Sequence, residues 1–257
     1  MTSRLFITLL AGTLLAAGLP APAVAAGGLS MSPPILEKQA QTGSMGAVTI
    51  TNSSSQAMRV TVTSRPWLQA RNGAVTPNRK RNLLREIRPS ALAFTLGAGA
   101  RRAVDVRVLR LPGGGSRYAS LEVVGRPPTP KDKKQSGIRA VYRLIGSLRL
   151  NPSPQRRKLR LQAGGVRRIG TASRRALVSA VRNAGNTIDP VTGTARISGP
   201  GGTRNVTIPS RRILPGALVD VSLGSARGLR PGTYRARISL FQAGRPVATT
   251  TRRFRIR

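Results

Sequence analysis

The fold of this chain is decided by residues 96–124, LGAGARRAVDVRVLRLPGGGSRYASLEVV, because a second stretch repeats their pattern. Residues 214–238 read LPGALVDVSLGSARGLRPGTYRARI. Each stretch runs from a leucine through a glycine-containing turn into a Val-Asp-Val strand, and then through a Pro-Gly turn to a tyrosine that opens another alternating strand. A unit that recurs about a hundred residues later predicts two copies of one fold.

Each unit has the pattern of a half-buried β-hairpin. Val104, Val106 and Val108 alternate with polar residues, which is the period of two expected of a strand with one buried face. Tyr118 and Tyr234 each follow a Pro-Gly turn. We interpret both as tyrosine corners, in which the ring packs in the core and the hydroxyl binds the backbone of the turn. The alternative is that both are ordinary aromatic residues of strands.

Length and composition favour an all-β protein with two tandem immunoglobulin-like β-sandwiches. The 257 residues include 28 glycines and 19 prolines, which separate short apolar alternations, and no amphipathic stretch is long enough for a major helix. We predict a first sandwich over residues 29–150, a proline-containing linker over 151–157 and a second sandwich over 158–257. Residues 30–36 are predicted to form the first strand, which its two prolines restrict to a sheet edge.

Residues 1–25 have the organisation of a cleavable signal peptide. Arg4 gives the positive start, residues 5–19 form the apolar run, and Ala23-Val24-Ala25 fits the small-residue pattern of a cleavage site. The apolar run is short for a membrane span, which needs about 20 residues, although an uncleaved anchor is the alternative. We therefore expect the mature chain, without a membrane span, in the periplasm, the cell envelope or the secreted fraction.

The charge of the chain is strongly positive. Its 44 lysines and arginines outnumber 7 carboxylates and give a formal net charge of +37. Such a charge predicts attraction to polyanions, including acidic polymers of the cell envelope, and compositional bias is the alternative because arginine is scattered over the whole chain. Aromatic residues make up only 3% of the chain. Because bases stack on aromatic side chains, we expect no specific nucleic-acid partner.

Several classes of chemistry are excluded by residues that the sequence lacks. There is no cysteine and no histidine, so disulfides, thiol and imidazole catalysis and the usual zinc sites are absent. The few carboxylates form no recognisable pair for acid–base catalysis. We predict that the protein is not an enzyme and that it holds no cofactor and no metal.

Residues 138–150 form the longest alternating stretch of the chain. One face reads as buried and contains Ile138, Ala140, Tyr142, Leu144, Gly146, Leu148 and Leu150. The other face contains Arg139, Val141, Arg143, Ile145, Ser147 and Arg149. Apolar residues among these cations are unusual for a face that meets only water. This strand is therefore the candidate for contact with a partner.

Residues 29–152 resemble the first domain of the PapD-like periplasmic chaperones that assemble pili. The resemblance rests on an ordered set of short motifs: SPPI at 32–35, VTITNSS at 48–54, FTLGAG at 94–99, YASLEV at 118–123, and the long strand that ends in Asn151-Pro152. Members of that family consist of two immunoglobulin-like sandwiches, and they lend a long edge strand to an incomplete pilin subunit.

The resemblance implies a site and a partner. The strand over residues 138–150 is the implied donor, with Val141 and Ile145 as inserting residues and Arg139, Arg143 and Arg149 beside them. The implied partner is an exported surface protein or a pilin-like protein. The family also clamps the carboxylate of its subunit with an arginine on the first strand and a lysine on the long strand, and residues 30–36 contain no arginine. The clamp is therefore not carried over.

Overall fold

The computed structural model describes residues 28–128, 140–171 and 175–257, so the predicted signal peptide lies outside the described residues. The strands of the N-terminal half are β1 (Leu29–Ser32), β2 (Ile35–Gln39), β3 (Gly43–Asn52), β4 (Met58–Gln69), β5 (Val75–Pro77), β6 (Ile87–Pro89), β7 (Ala93–Leu96), β8 (Arg101–Val108), β9 (Arg117–Arg126) and β10 (Tyr142–Asn151). A short 3₁₀ helix, Pro154–Arg156, follows. The strands of the C-terminal half are β11 (Leu161–Ile169), β12 (Ala176–Asn183), β13 (Val191–Gly199), β14 (Gly202–Arg211), β15 (Leu218–Ser225), β16 (Gly232–Gln242) and β17 (Arg245–Ile256).

The N-terminal strands form a sandwich of two sheets. One sheet has the order β1-β3-β8-β6, and the other has the order β2-β10-β9-β4-β5, with β7 also paired to β4. The valines at alternate positions of β8 face a core in which Ile50, Val104 and Leu121 are fully buried. The predicted period of two thus places one side of each strand in the core and the other toward solvent.

The C-terminal strands form a second sandwich with its own core. Its sheets have the orders β11-β12-β15 and β14-β13-β16-β17. Leu177, Val219 and Ile238 are fully buried between them. The predicted fold class, two all-β sandwiches in tandem, is therefore confirmed. The predicted domain limits around residues 151–157 stay a prediction, and the 3₁₀ helix lies within them.

The repeated unit is not a hairpin, contrary to the prediction. Strand β8 lies in one sheet and β9 in the other, and β15 and β16 are divided in the same way. Both strands of a unit have an apolar face, and crossing between the sheets lets the two apolar faces meet across one core.

The first strand is also divided, although a single strand was predicted. Strand β1 pairs with β3 in one sheet, whereas β2 runs parallel to β10 in the other sheet. Pro33 and Pro34 lie between the two short strands. Proline cannot donate a backbone hydrogen bond, so the ladder is interrupted where the chain passes from one sheet to the other.

An asparagine closes the same crossing in both sandwiches. The side chain of Asn52, at the end of β3, donates to the carbonyl oxygens of Gln56 (2.8 Å) and Gly97 (2.9 Å). Asn183, at the end of β12, donates to the carbonyl oxygens of Thr187 (2.8 Å) and Ile213 (2.7 Å). Both amides are fully buried, and each ties the turn after its own strand to the turn before the Val-Asp-Val strand.

The two tyrosines of the repeat differ. The hydroxyl of Tyr234 donates to the carbonyl oxygen of Arg230 at 3.0 Å, four residues upstream, and so forms the predicted tyrosine corner. The prediction is wrong for Tyr118, whose hydroxyl donates to Oδ1 of Asn151 (3.1 Å) and lies 3.4 Å from the carbonyl oxygen of Asn186 in the second sandwich. Tyr118 therefore serves the joint between the sandwiches and not its own turn.

Candidate partner-binding edge

The described strands enclose β10 along only half of its length. It pairs with β9 from Tyr142 to Leu150, but β2 flanks its other side only from Ser147 to Asn151. Among the described residues, no strand pairs with the outer side of β10 between Tyr142 and Gly146. We call this segment the open edge. A sheet edge without a partner is a template for another strand.

Two residues of the open edge direct their backbone N–H and C=O groups outward. The N–H of Ser147 donates away from β9, to the carbonyl oxygen of Pro34 at 2.8 Å. Backbone direction alternates along a strand, so the N–H and C=O groups of Arg143 and Ile145 also point away from β9. These four groups are the ones that an added strand would pair with.

The side chains of the open edge include exposed apolar groups. Ile145 is 45% exposed, and Val141, which lies just before β10, is 54% exposed. On the opposite face of the same strand, Leu148 and Leu150 are only 1% exposed. The predicted division into a core face and a mixed outer face therefore holds from Tyr142 to Leu150, whereas Ile138 lies outside the described residues and Ala140, predicted on the core face, is exposed before β10 begins.

The three arginines predicted for the site have different positions. Arg139 lies outside the described residues. Arg143 lies on the open edge, with its Nε 3.3 Å from Oε1 of Glu122. Arg149 forms an ion pair with Glu37 at 3.1 Å, where β2 flanks β10, and it therefore lies beyond the open edge.

A buried carboxylate next to the open edge was not predicted. Glu122 is only 4% exposed, and it faces outward from β9, directly opposite Ile145. Its Oε2 accepts a hydrogen bond of 2.5 Å from Nε of Arg65 on β4. The sequence offered one signal for this site, a glutamate in the otherwise apolar stretch Leu121-Glu122-Val123-Val124. A charged side chain in a buried strand indicates an ion pair, because an unpaired buried charge is strongly destabilising.

The joint between the sandwiches covers another edge. The tip between β4 and β5 reaches β15, where the N–H of Asp220 donates to the carbonyl oxygen of Arg71 at 2.7 Å. Arg71 also donates from Nη2 to Oδ1 of Asp220 at 2.8 Å, and Arg167 donates to Oδ2. Burial alone raises the pKa of Asp220, but the hydrogen bonds and charges of Arg71 and Arg167 outweigh burial, so its pKa lies below the ordinary value.

The edges of the larger C-terminal sheet differ chemically from the open edge. Strand β14 contains Pro209, and β17 contains Pro246 together with Arg252, Arg253 and Arg255. Proline and cations are the residues that protect an edge from pairing with another chain. The open edge of β10, by contrast, combines outward backbone groups with the exposed Ile145 and with the exposed Val141 just before the strand.

Two solved structures have the same architecture. The class 5 fimbriae chaperone CfaA is 12% identical, covers 87% of this chain and 98% of its own, and has a TM-score of 0.51. A chaperone–tip adhesin complex of CFA/I fimbriae has 12% identity, the same coverage and a TM-score of 0.53. This chain has the two-domain fold of the fimbrial chaperones. No family model matches the chain, and no curated protein matches its sequence.

The described residues carry two further negative findings. They contain no helix that is long and apolar enough to cross a membrane. They also contain no group of three acidic side chains placed to hold a metal ion.

Proposed function

We propose that this protein is an exported, non-enzymatic chaperone or adaptor that binds an extended segment of another surface protein by β-strand addition. The observation that carries the proposal is the open edge of β10, where Arg143 and Ile145 point their backbone groups outward beside exposed apolar side chains. One of the structures with the same fold is a chaperone bound to a tip adhesin, which supports a pilin-like or surface protein as the partner.

The energetics favour an extended guest. A strand beside the open edge gains backbone hydrogen bonds to Arg143 and Ile145, each worth about 1 kcal/mol net. It also covers Val141 and Ile145, which are already about half buried, so covering each contributes about half of the roughly 1.5 to 3 kcal/mol that full burial of such a side chain gives. A helix or a compact surface has no row of free backbone groups to offer, so it gains only the apolar part.

The test is photo-crosslinking from position 141 in exporting cells. A photoreactive residue in place of Val141 should join the chain to an exported protein, and mass spectrometry should map the junction to an extended segment. Ile145→Pro should abolish the crosslink, because proline removes an outward N–H that an added strand needs, while leaving the bonds to β9 intact.

Ile145→Thr is the matched control for this experiment. Threonine keeps the N–H and suits a strand, so the crosslink should persist at reduced yield. If Ile145→Pro and wild type crosslink to the same protein with equal yield, the partner does not bind by strand addition.

A second candidate function is binding to an acidic polymer of the cell envelope. It is favoured by the outer face of the β14-β13-β16-β17 sheet, where Arg196 lies opposite Arg237 and Arg235 lies opposite Arg253. These four arginines are exposed and form no ion pair with the described carboxylates. Like charges in opposed positions repel, so a polyanion along these rows would relieve the repulsion.

Salt separates the two candidate functions. Binding of soluble polyphosphate to the arginine rows should collapse between low salt and about 1 M salt, where the screening length falls to about 3 Å. The paired substitution Arg196→Gln/Arg237→Gln should weaken it, while Ile145→Pro should not. Polyphosphate binding that survives 1 M salt would argue against this second function.

A further inference from the structure

A groove beside the open edge concentrates positive charge. It has a volume of 790 Å³ and lies on the outer face of β4, β9 and β10. Its charged lining consists of Arg59, Arg65, Arg79, Arg126, Arg143 and Glu122. Five arginines face one carboxylate, so the formal charge of the groove is +4. A concave surface of one sign focuses the electrostatic potential and attracts groups of the opposite sign.

Arg65 is committed to the structure of this groove. Its Nε binds Glu122, and its Nη1 donates to the carbonyl oxygens of Arg79 (3.0 Å) and Arg81 (3.2 Å). These bonds tie β4 to β9 and hold the loop that carries Arg79. Arg65 is therefore a positioning residue and has little capacity left for a ligand.

Glu122 orients Arg143 through one nitrogen and leaves its terminal nitrogens available for a ligand. Only its Nε approaches Glu122, and Oε1 of Glu122 has no hydrogen-bond partner among the described residues. The two terminal nitrogens of Arg143 form no ion pair there. A guanidinium oriented through one nitrogen can still bind a carboxylate with the other two, in the forked geometry that arginine prefers.

Two further arginines of the groove have no counter-ion among the described residues. Arg59 on β4 and Arg126 on β9 are direct partners in the strand register, and neither forms an ion pair with a described carboxylate. Two like charges opposite each other are unfavourable in a sheet. An acidic group above them would remove this repulsion.

The register connects this groove to a guest. The side chain of Arg143 faces the groove while its backbone faces the open edge, and Ile145 has the same orientation two residues later. A strand that pairs with the open edge must therefore place one side chain opposite Arg143 and another, two residues away, opposite Ile145. This holds for parallel and antiparallel guests alike.

We infer that the guest is an acidic segment, with an aspartate or glutamate opposite Arg143 and an apolar residue opposite Ile145, two positions apart. This inference rests on the proposed strand addition and adds the chemistry of the partner. The remaining cations of the groove, Arg59, Arg79 and Arg126, add to the positive potential that an approaching acidic segment meets.

Three synthetic peptides of strand length, about ten residues, test the inference. They share an alternating valine–threonine framework and carry Glu, Gln or Lys two positions from a valine on one face. The Glu peptide should bind the full chain roughly three- to tenfold more tightly than the Gln peptide, and the Lys peptide should bind least. Arg143→Gln should remove the difference between Glu and Gln.

Two controls keep this result interpretable. Arg143→Gln leaves Glu122 with one partner fewer, so Arg59→Gln is measured as well, because it leaves the pair of Glu122 and Arg65 untouched. Arg59→Gln should lower the affinity for the Glu peptide by a smaller factor. Arg168→Gln, at an exposed position of β11 in the other sandwich, should leave the order of the three peptides unchanged. Thermal unfolding of each variant reports whether it is folded.

The outcomes separate the two proposals. Equal affinity for all three peptides, with binding still lost in Ile145→Pro, overturns the acidic guest and leaves strand addition standing. Binding that Ile145→Pro does not change, or no binding of any peptide, overturns both. A preference for Glu that Arg143→Gln abolishes and Ile145→Pro removes supports both.

Discussion

Tyr118 and Tyr234 occupy equivalent positions in the repeated unit, yet only one of them serves its own sandwich. Tyr234 is 1% exposed, and its hydroxyl closes the turn four residues upstream. The hydroxyl of Tyr118 instead reaches Asn151 and the second sandwich beyond it. Burial there raises the pKa of Tyr118. The same short motif thus stabilises a turn in one sandwich and a joint between sandwiches in the other.

The difference follows from what lies beyond each strand. The hydroxyl of Tyr234 binds the carbonyl oxygen of its own turn, whereas Tyr118 lies where the first sandwich meets the second. On the same side of the joint, the side chain of Asn186 donates to the carbonyl oxygen of Gly114 at 3.0 Å, in the turn that precedes Tyr118. The turn before Tyr118 is thus hydrogen-bonded by Asn186 of the second sandwich and not by the hydroxyl of Tyr118.

Unlike the two tyrosines, the buried asparagines Asn52 and Asn183 form equivalent hydrogen bonds in the two sandwiches. Asn52→Ala and Asn183→Ala should each lower the free energy of unfolding by about 1 to 3 kcal/mol, because each leaves buried carbonyl oxygens without a donor. Urea unfolding followed by tryptophan fluorescence and circular dichroism would measure the loss. The two losses should agree within about 1 kcal/mol. A much smaller loss for one variant would mean that the two crossings are not equivalent.

The tyrosines should respond differently to removal of the hydroxyl. Tyr234→Phe should lower the free energy of unfolding by about 0.5 to 1.5 kcal/mol, because an internal hydrogen bond is lost. Tyr118→Phe should have a smaller effect on unfolding but should increase the motion of one sandwich relative to the other. Residual dipolar couplings of both variants would report that motion. Equal stability losses with unchanged interdomain order would remove the distinction between the two tyrosines.

The joint should weaken in acid. Because the pKa of Asp220 is lower in the folded chain than its ordinary value of 3.8, its ion pairs contribute stability above that value, and the contribution is lost as the pH falls through the folded pKa. The difference in unfolding free energy between wild type and Asp220→Asn should therefore be present at pH 6 and shrink at lower pH. The effect should be small, because both arginines are half exposed.

Asp105→Asn is the matched control for the acid prediction. Asp105 lies at the same place in the repeated unit as Asp220, but it forms no ion pair with the described residues. Its substitution removes the same charge without breaking an ion pair of the described residues. If both variants alter the pH dependence of unfolding equally, the effect belongs to the net charge and not to the joint.

The open edge of β10 was only partly visible in the sequence. The alternation gave both faces correctly within β10, from Tyr142 to Leu150, because burial of every second residue needs no knowledge of the neighbouring strands, but it placed the exposed Ala140 on the core face. It did not show that β2 covers the second half of β10 and with it Arg149. That cover depends on the crossing of the first strand between the sheets, which is a long-range event.

The groove could not be predicted from the sequence, again because it depends on long-range pairing. Its arginines come from β4, β9, β10 and a loop that are far apart in the chain, and they are a small part of the 44 basic residues. Composition could not distinguish the arginine that positions Glu122 from those that have no counter-ion among the described residues. Only the strand register identifies which cations converge.

The sequence by itself determined the all-β class, the repetition of one unit and the inward face of each strand, because these depend on local periodicity and turn chemistry. The tertiary structure decided that the unit spans two sheets, that Tyr118 joins the sandwiches and that no described strand covers half of β10. Those features depend on pairing between residues distant in the chain, and no local pattern encodes which distant strand arrives.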